Sequence, residues 1–111
     1  MECSVFDQTG GVSILRLKGR LNMVSAGTLK AVVDSTIAGG HPRLAIDLSG
    51  VEFIDSSGLG ALINALKVTR QAGGDLRIAA PTEQVKLVLQ LTNVERVLPA
   101  YSAAEVAFAN G

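Results

Sequence analysis

The chain is poor in the residues from which specialised sites are usually built. Its 111 residues include one cysteine, Cys3, one histidine, His41, and no tryptophan. A lone thiol forms no internal disulfide, which agrees with a reducing compartment. One cysteine and one histidine fall short of the ligand cluster that a metal centre needs, so no metal and no cofactor are expected. An excess of either charge is also lacking: ten Lys and Arg balance ten Asp and Glu. Without a basic run there is no electrostatic footprint of a nucleic-acid binder, and none is expected as a partner. No stretch approaches the roughly 18 consecutive apolar residues of a membrane span, which argues against direct membrane insertion. Met1-Glu2-Cys3-Ser4 has neither the basic start nor the apolar stretch of a secretion signal. A cytoplasmic location is the expectation.

What is present is ample apolar material. Hydrophobic residues make up 48% of the chain and charged residues 18%, so burial can offset the entropy of ordering. The length suits one domain over residues 1–111. Cys3 to Gln8 and Val12 to Lys18 read as strands joined by a Thr9-Gly10-Gly11 hairpin turn. Leu29, Val32, Val33 and Ile37 recur at helical spacing, and Gly39-Gly40 with Pro42 supplies the stop. Leu44 to Leu48 has the nearly all-apolar character of a strand covered on both faces. Leu59, Leu62, Ile63 and Leu66 mark the core face of a second helix, closing at Gly73-Gly74. Leu76 to Ala80 returns to strand. Thr82 is placed to cap a third helix carrying Val85, Val88 and Leu89, and Asn93 tolerates the left-handed conformation that ends it. Arg96 to Leu98 reads as a brief edge strand, and Ser102 with Glu105 as a capping box opening a last helix. The order β-β-α-β-α-β-α-(β)-α predicts a single α/β domain, with a mixed sheet of four to five strands packed with about four helices.

Chemistry concentrates between Asp47 and Gly60. A buried strand is predicted to end near Leu48 and a helix to begin at about Ser57. Helix N-termini carry free amide donors and the positive end of the dipole, so anions are favoured there. Ser56 and Ser57 place two hydroxyls at that point, and Gly58 and Gly60 permit close approach to the backbone. Serine or aspartate before a helix is also the commonest cap, so a capping role and a phosphoacceptor role both stand on local grounds. Nucleotide-binding glycine patterns are missing, and Ser56 lacks a nucleophile elbow. His41 sits in a Gly-Gly-His-Pro turn and reads as a solvated residue. Asp47 and Asp55 are near enough in sequence to approach each other, but no partner defines them as an acid–base pair. No enzyme activity is expected. On the second helix, Ala61, Ala65, Val68 and Ala72 form a stripe nearly opposite the predicted core face. Small side chains there suit a closely docking partner, although alanine also serves simply as a good helix former.

The stretch Ile54-Asp55-Ser56-Ser57-Gly58-Leu59-Gly60-Ala61-Leu62 strongly resembles the signature of bacterial anti-sigma factor antagonists, members of the STAS domain family. Gly19-Arg20-Leu21-Asn22 resembles the family's Gly-x-Leu-Asp segment. Asp47 to Ile54 is similar to the family's lead-in, and Thr82 to Leu89 to its third helix. The resemblance implies that a partner kinase phosphorylates Ser56. It implies that the unphosphorylated form binds that anti-sigma factor/serine kinase and releases its target, and that a PP2C-type phosphatase reverses the mark. The implied partner surface comprises Asn22, Asp55, Ser56, Ser57, Gly58, Leu59, Gly60, Ala61, Ala65 and Val68. Asn22 departs from the family Asp and removes a charge. An alternative within the same family is a non-catalytic subunit of a membrane transport complex.

Overall fold

A computed structural model of the chain describes residues 1–8, 10–40 and 43–109. Thr9 of the predicted hairpin turn, and His41 and Pro42, lie outside the described residues. The chain runs β1 (Glu2–Gln8), β2 (Val12–Leu21), α1 (Met23–Ala38), β3 (Arg43–Ile54), α2 (Ser56–Gln71), β4 (Asp75–Ala79), α3 (Glu83–Leu91) and β5 (Ala100–Tyr101). Short 3-10 turns occupy Val94–Arg96 and Ala104–Val106. The five strands lie in sequence order, β1 antiparallel to β2 and every later pair parallel. Each parallel pair needs a crossover, and α1, α2 and α3 all pack onto one face over Leu15, Leu17, Leu44, Ile46, Leu48, Leu76 and Ile78. The other face is covered by the C-terminal segment, where Ala104, Ala107 and Phe108 meet Val12, Ile14, Ala45 and Ala79. No helix among the described residues is long and apolar enough to cross a membrane.

Local chemistry accounts for most element ends. Gly40 and Gly73 take positive φ, +89° and +86°, just past α1 and α2, where a side chain would be strained. Asn93 adopts the left-handed conformation after α3, at φ 59°. Other boundaries differ from the sequence pattern, each for a physical reason. Strand β3 runs on to Ile54 rather than ending near Leu48. β2 accompanies it to Leu21 through two register shifts, and Gly50 fits beneath the Leu17 carbonyl, where a Cβ would come within 2.8 Å. Arg96 to Leu98 is not a strand. Val94 and Leu98 are both buried at helical spacing, with the Leu98 N–H on the Val94 carbonyl, and the edge strand forms later at Ala100–Tyr101.

Thr82 stands at the cap position of α3 but its hydroxyl donates to the Val51 carbonyl instead. The last predicted helix is only the turn Ala104–Val106, because Glu105 is drawn into an ion pair with Arg16 at 2.6 Å and Ala103, extended, stands at the cap. Three α-helices therefore form among the described residues, against the four expected.

Helix α2 is rotated from its predicted setting. Leu59, Leu62 and Leu66 are buried as expected, but Ile63 is 41% exposed. Ala65 and Thr69 are buried instead, and Thr69 satisfies its hydroxyl on the Ala65 and Leu66 carbonyls. The middle of the alanine stripe, at Ala65, is thus turned inward, and α2 packs beside α1. Ala61 packs against the core, Val68 is half-buried and Ala72 is exposed at the helix end. Ala65 is not a surface available to a partner. Its burial sets one expectation: Ala65→Arg buries an unpaired charge and should abolish cooperative unfolding rather than leave stability unchanged. The glycines of α2 set another. A Cβ on Gly58 would overlap the Leu21 carbonyl, whereas one on Gly60 meets nothing within 4 Å. Gly58→Ala should cost about 1–3 kcal/mol, and Gly60→Ala should stabilise by up to about 1 kcal/mol. Denaturant unfolding of both variants checks the contrast.

Candidate functional site

The parallel pairing of β2 with β3 ends in register at Leu21 and Ile54. The next residues, Asn22 and Asp55, therefore stand at neighbouring strand ends, roughly 5 Å apart by the spacing of paired strands. Both have extended backbones and both cap the helix that follows. Asn22 Oδ1 accepts the Val24 and Ser25 N–H groups at 3.0 and 3.2 Å. Ser25 Oγ accepts the Asn22 N–H at 2.9 Å and donates to the Arg20 carbonyl at 2.7 Å, closing a capping box. Asp55 Oδ1 accepts the Gly58 N–H at 2.9 Å, and its carbonyl accepts the Leu59 N–H. The Asp55 N–H in turn donates to the Leu21 carbonyl at 3.3 Å. Two helix N-termini, each with its positive dipole end, thus open side by side at one edge of the molecule.

Ser56 is the first residue of α2 and is exposed; Ser57 is the second and is half-buried. Neither hydroxyl makes a side-chain hydrogen bond among the described residues, so Ser57 is not the cap that its position suggested. Asp55 fills that role because its backbone is the extended one. The turn brings together Asn22, Asp55, Ser56, Ser57 and Gly60. Gly58 and Leu59 are buried beneath it, and Gly58 admits the Leu21 backbone rather than another molecule. Val68 lies twelve residues along α2 from Ser56, about 18 Å at the helical rise. Asp47 and Asp55 do not meet. Seven residues of β3, Leu48 to Ile54, lie between them, which places them about 25 Å apart at strand rise, and Asp47 is engaged by Arg16 at 3.2 Å and by the Ser49 N–H. Cys3 is half-buried in β1, and burial pushes its thiol up, away from the reactive thiolate.

Two residues missing from the sequence reading stand out. Met23 and Val24, in the first turn of α1, are 76% and 86% exposed and adjoin the Asn22 cap. Counting back from buried Leu29 at helical spacing reaches Ser25 and Ala26, so the outward phase of Met23 and Val24 was legible. Farther from the turn, Arg20 lies over the Phe53 ring at 4.8 Å. Gln84 of α3 accepts the Ile54 N–H at 3.1 Å.

The family model for the STAS domain matches residues 4–107. A Thermotoga maritima protein that carries a provisional anti-sigma factor antagonist name is 37% identical over 91 residues, covering 81% of this chain and 80% of that protein. An anti-sigma F factor antagonist of Paenibacillus polymyxa is 27% identical over 82% of this chain and 79% of its own length. Among solved structures, an anti-sigma factor antagonist from Mycobacterium paratuberculosis superposes with a TM-score of 0.84 at 29% identity, over 97% of this chain and 91% of that one. The sheet order, the capped turn after β3 and these matches agree: the chain belongs to the STAS domain family, among relatives named as anti-sigma factor antagonists.

Proposed function

We propose that the chain is a protein-binding switch controlled by phosphorylation of Ser56, with no catalysis of its own. Unphosphorylated, it binds an anti-sigma factor that is also a serine kinase and so releases that factor's target in the cytoplasm. Phosphate on Ser56 dissolves the complex, and a PP2C-type phosphatase restores it. The supporting observation is the setting of Ser56. It is an exposed first-turn hydroxyl directly after the Asp55 cap, and the neighbouring Asn22 cap leads into the exposed Met23 and Val24. A phosphate there adds about −1.5 to −2 charges at neutral pH. The N-terminus of α2 favours that charge, so the fold should tolerate it. A docked surface should not, because the phosphate would be trapped against apolar contacts and against the Asp55 carboxylate. The transport-subunit alternative rests on family membership alone, which leaves function open.

Incubated with its cognate kinase and ATP, the wild type should gain one phosphate, about 80 Da by intact mass, and Ser56→Ala should gain none. Ser56→Ala should still bind the kinase, while Ser56→Asp should bind weakly. Ser57→Ala should still be phosphorylated and, since Asp55 is the cap, should shift stability by no more than about 0.5 kcal/mol. Phosphate mapped to Ser57, or retained by Ser56→Ala, contradicts the assignment. The apolar rim gives a second expectation. Met23→Ser combined with Val24→Ser should weaken partner binding by more than tenfold, about 1.4 kcal/mol, with little change in thermal stability. Titration calorimetry against the kinase measures it, and unaltered affinity would remove these residues from the interface.

A further inference from the structure

Strand β3 outruns its neighbour. Its pairing with β4 ends at Asp47 and Ala79, yet the strand continues to Ile54. Over this extension the β2 side stays paired, while on the β4 side no strand among the described residues lies against it. Backbone groups there lack a ladder, and part-buried N–H or C=O groups require partners. The start of α3 supplies them. Thr82 Oγ1 donates to the Val51 carbonyl at 2.8 Å, and Gln84 Oε1 accepts the Ile54 N–H at 3.1 Å. Across the strand, the Leu21 carbonyl takes the Asp55 N–H at 3.3 Å. The residues just before Ser56 are therefore clamped from both sides, by β2 at Asp55 and by α3 at Ile54.

Building on the switch reading above, we infer that Gln84 is a positioning residue for Ser56. The first-turn N–H groups of a helix have no intrahelical acceptor, so the peptides that lead into the helix help to orient it. Where Ser56 points is thus decided by Ile54 and Asp55. Asp55 sets the turn through its bond to the Gly58 N–H, and Gln84 holds the Phe53–Ile54 peptide, one unit before the Asp55 amide that Leu21 holds. Phosphoryl transfer needs the acceptor hydroxyl in a near-attack geometry, and a misplacement of about 1 Å can cost on the order of 100-fold in rate. Gln84 touches neither the phosphate donor nor the hydroxyl. It acts through the backbone, so its loss should slow transfer without weakening capture of the kinase.

The test compares Gln84→Met, which keeps length and removes the acceptor, with Gln84→Glu, which keeps an acceptor oxygen. Thr82→Val, which releases the tether at Val51, farther from Ser56, is the control. With the serine kinase that the wild-type chain captures from extract, Gln84→Met should lower kcat for Ser56 phosphorylation at least tenfold with KM unchanged. Gln84→Glu should stay within about threefold of wild type, and Thr82→Val should lose less than Gln84→Met. Without any kinase, amide exchange at Asp55 and Gly58, whose N–H groups are bonded to the Leu21 carbonyl and the Asp55 side chain, should rise at least tenfold in Gln84→Met while the interiors of α1 and α2 keep their protection. Wild-type kcat and exchange in Gln84→Met overturn the inference. So does a Gln84→Met chain that unfolds or loses protection throughout α2 and α3, since the role is then structural only. A wild type that takes no phosphate on Ser56 contradicts the switch itself, and the exchange comparison then decides the Gln84 role separately.

Discussion

The site depends on how closely α2 can approach the end of β2. Gly58 lies against the Leu21 carbonyl with no room for a Cβ, and the same carbonyl accepts the Asp55 N–H. Because β2 and β3 are parallel and finish in register, that contact sets α2 beside α1 with both N-termini at one level. Everything offered at this edge follows from it: two extended caps, two positive helix ends, one exposed hydroxyl and the apolar first turn of α1. A larger residue at position 58 would push α2 away and separate Ser56 from Asn22, Met23 and Val24.

The departure at Asn22 is understandable in the same terms. Asparagine is as good a cap as aspartate, and here it closes a complete capping box with Ser25. What changes is charge. Asp55 is left as the carboxylate of the paired caps, so a phosphate on Ser56 would face one neighbouring negative group where the family pattern has two. Architecture is conserved by the substitution while the electrostatics of the turn are relaxed.

Much of the fold was legible because local and tertiary preferences coincide. Leu29 and Val33 of α1, the glycines after α1 and α2, and Asn93 after α3 all behave as their chemistry predicts. The misread places are those where a side chain found a distant partner in preference to a local one. Thr82 serves Val51, thirty-one residues away, rather than its own helix, and Glu105 serves Arg16 rather than a capping box. Ser49-Gly50 looked like the end of a strand because register shifts in a long parallel pair leave no clear pattern in the chain. The alanine stripe on α2 was misassigned for a related reason: small residues suit a helix neighbour inside the fold as well as a partner outside it, and Ala65 faces inward. The proposal of Ser56 over Ser57 rests on the motif. Local physics offered two adjacent serines, and only the extended backbone of Asp55 decides which residue caps.

The most direct measurement is a hydrogen-exchange footprint of the unphosphorylated chain in complex with the partner it captures. The expected result is coincident protection of residues 22–24 and 55–60, lost together once Ser56 is phosphorylated. Protection that falls instead on the outer face of α3, around the exposed Leu87 and Leu91, with residues 22–24 unaffected, would contradict the assignment of the paired helix N-termini as the binding edge.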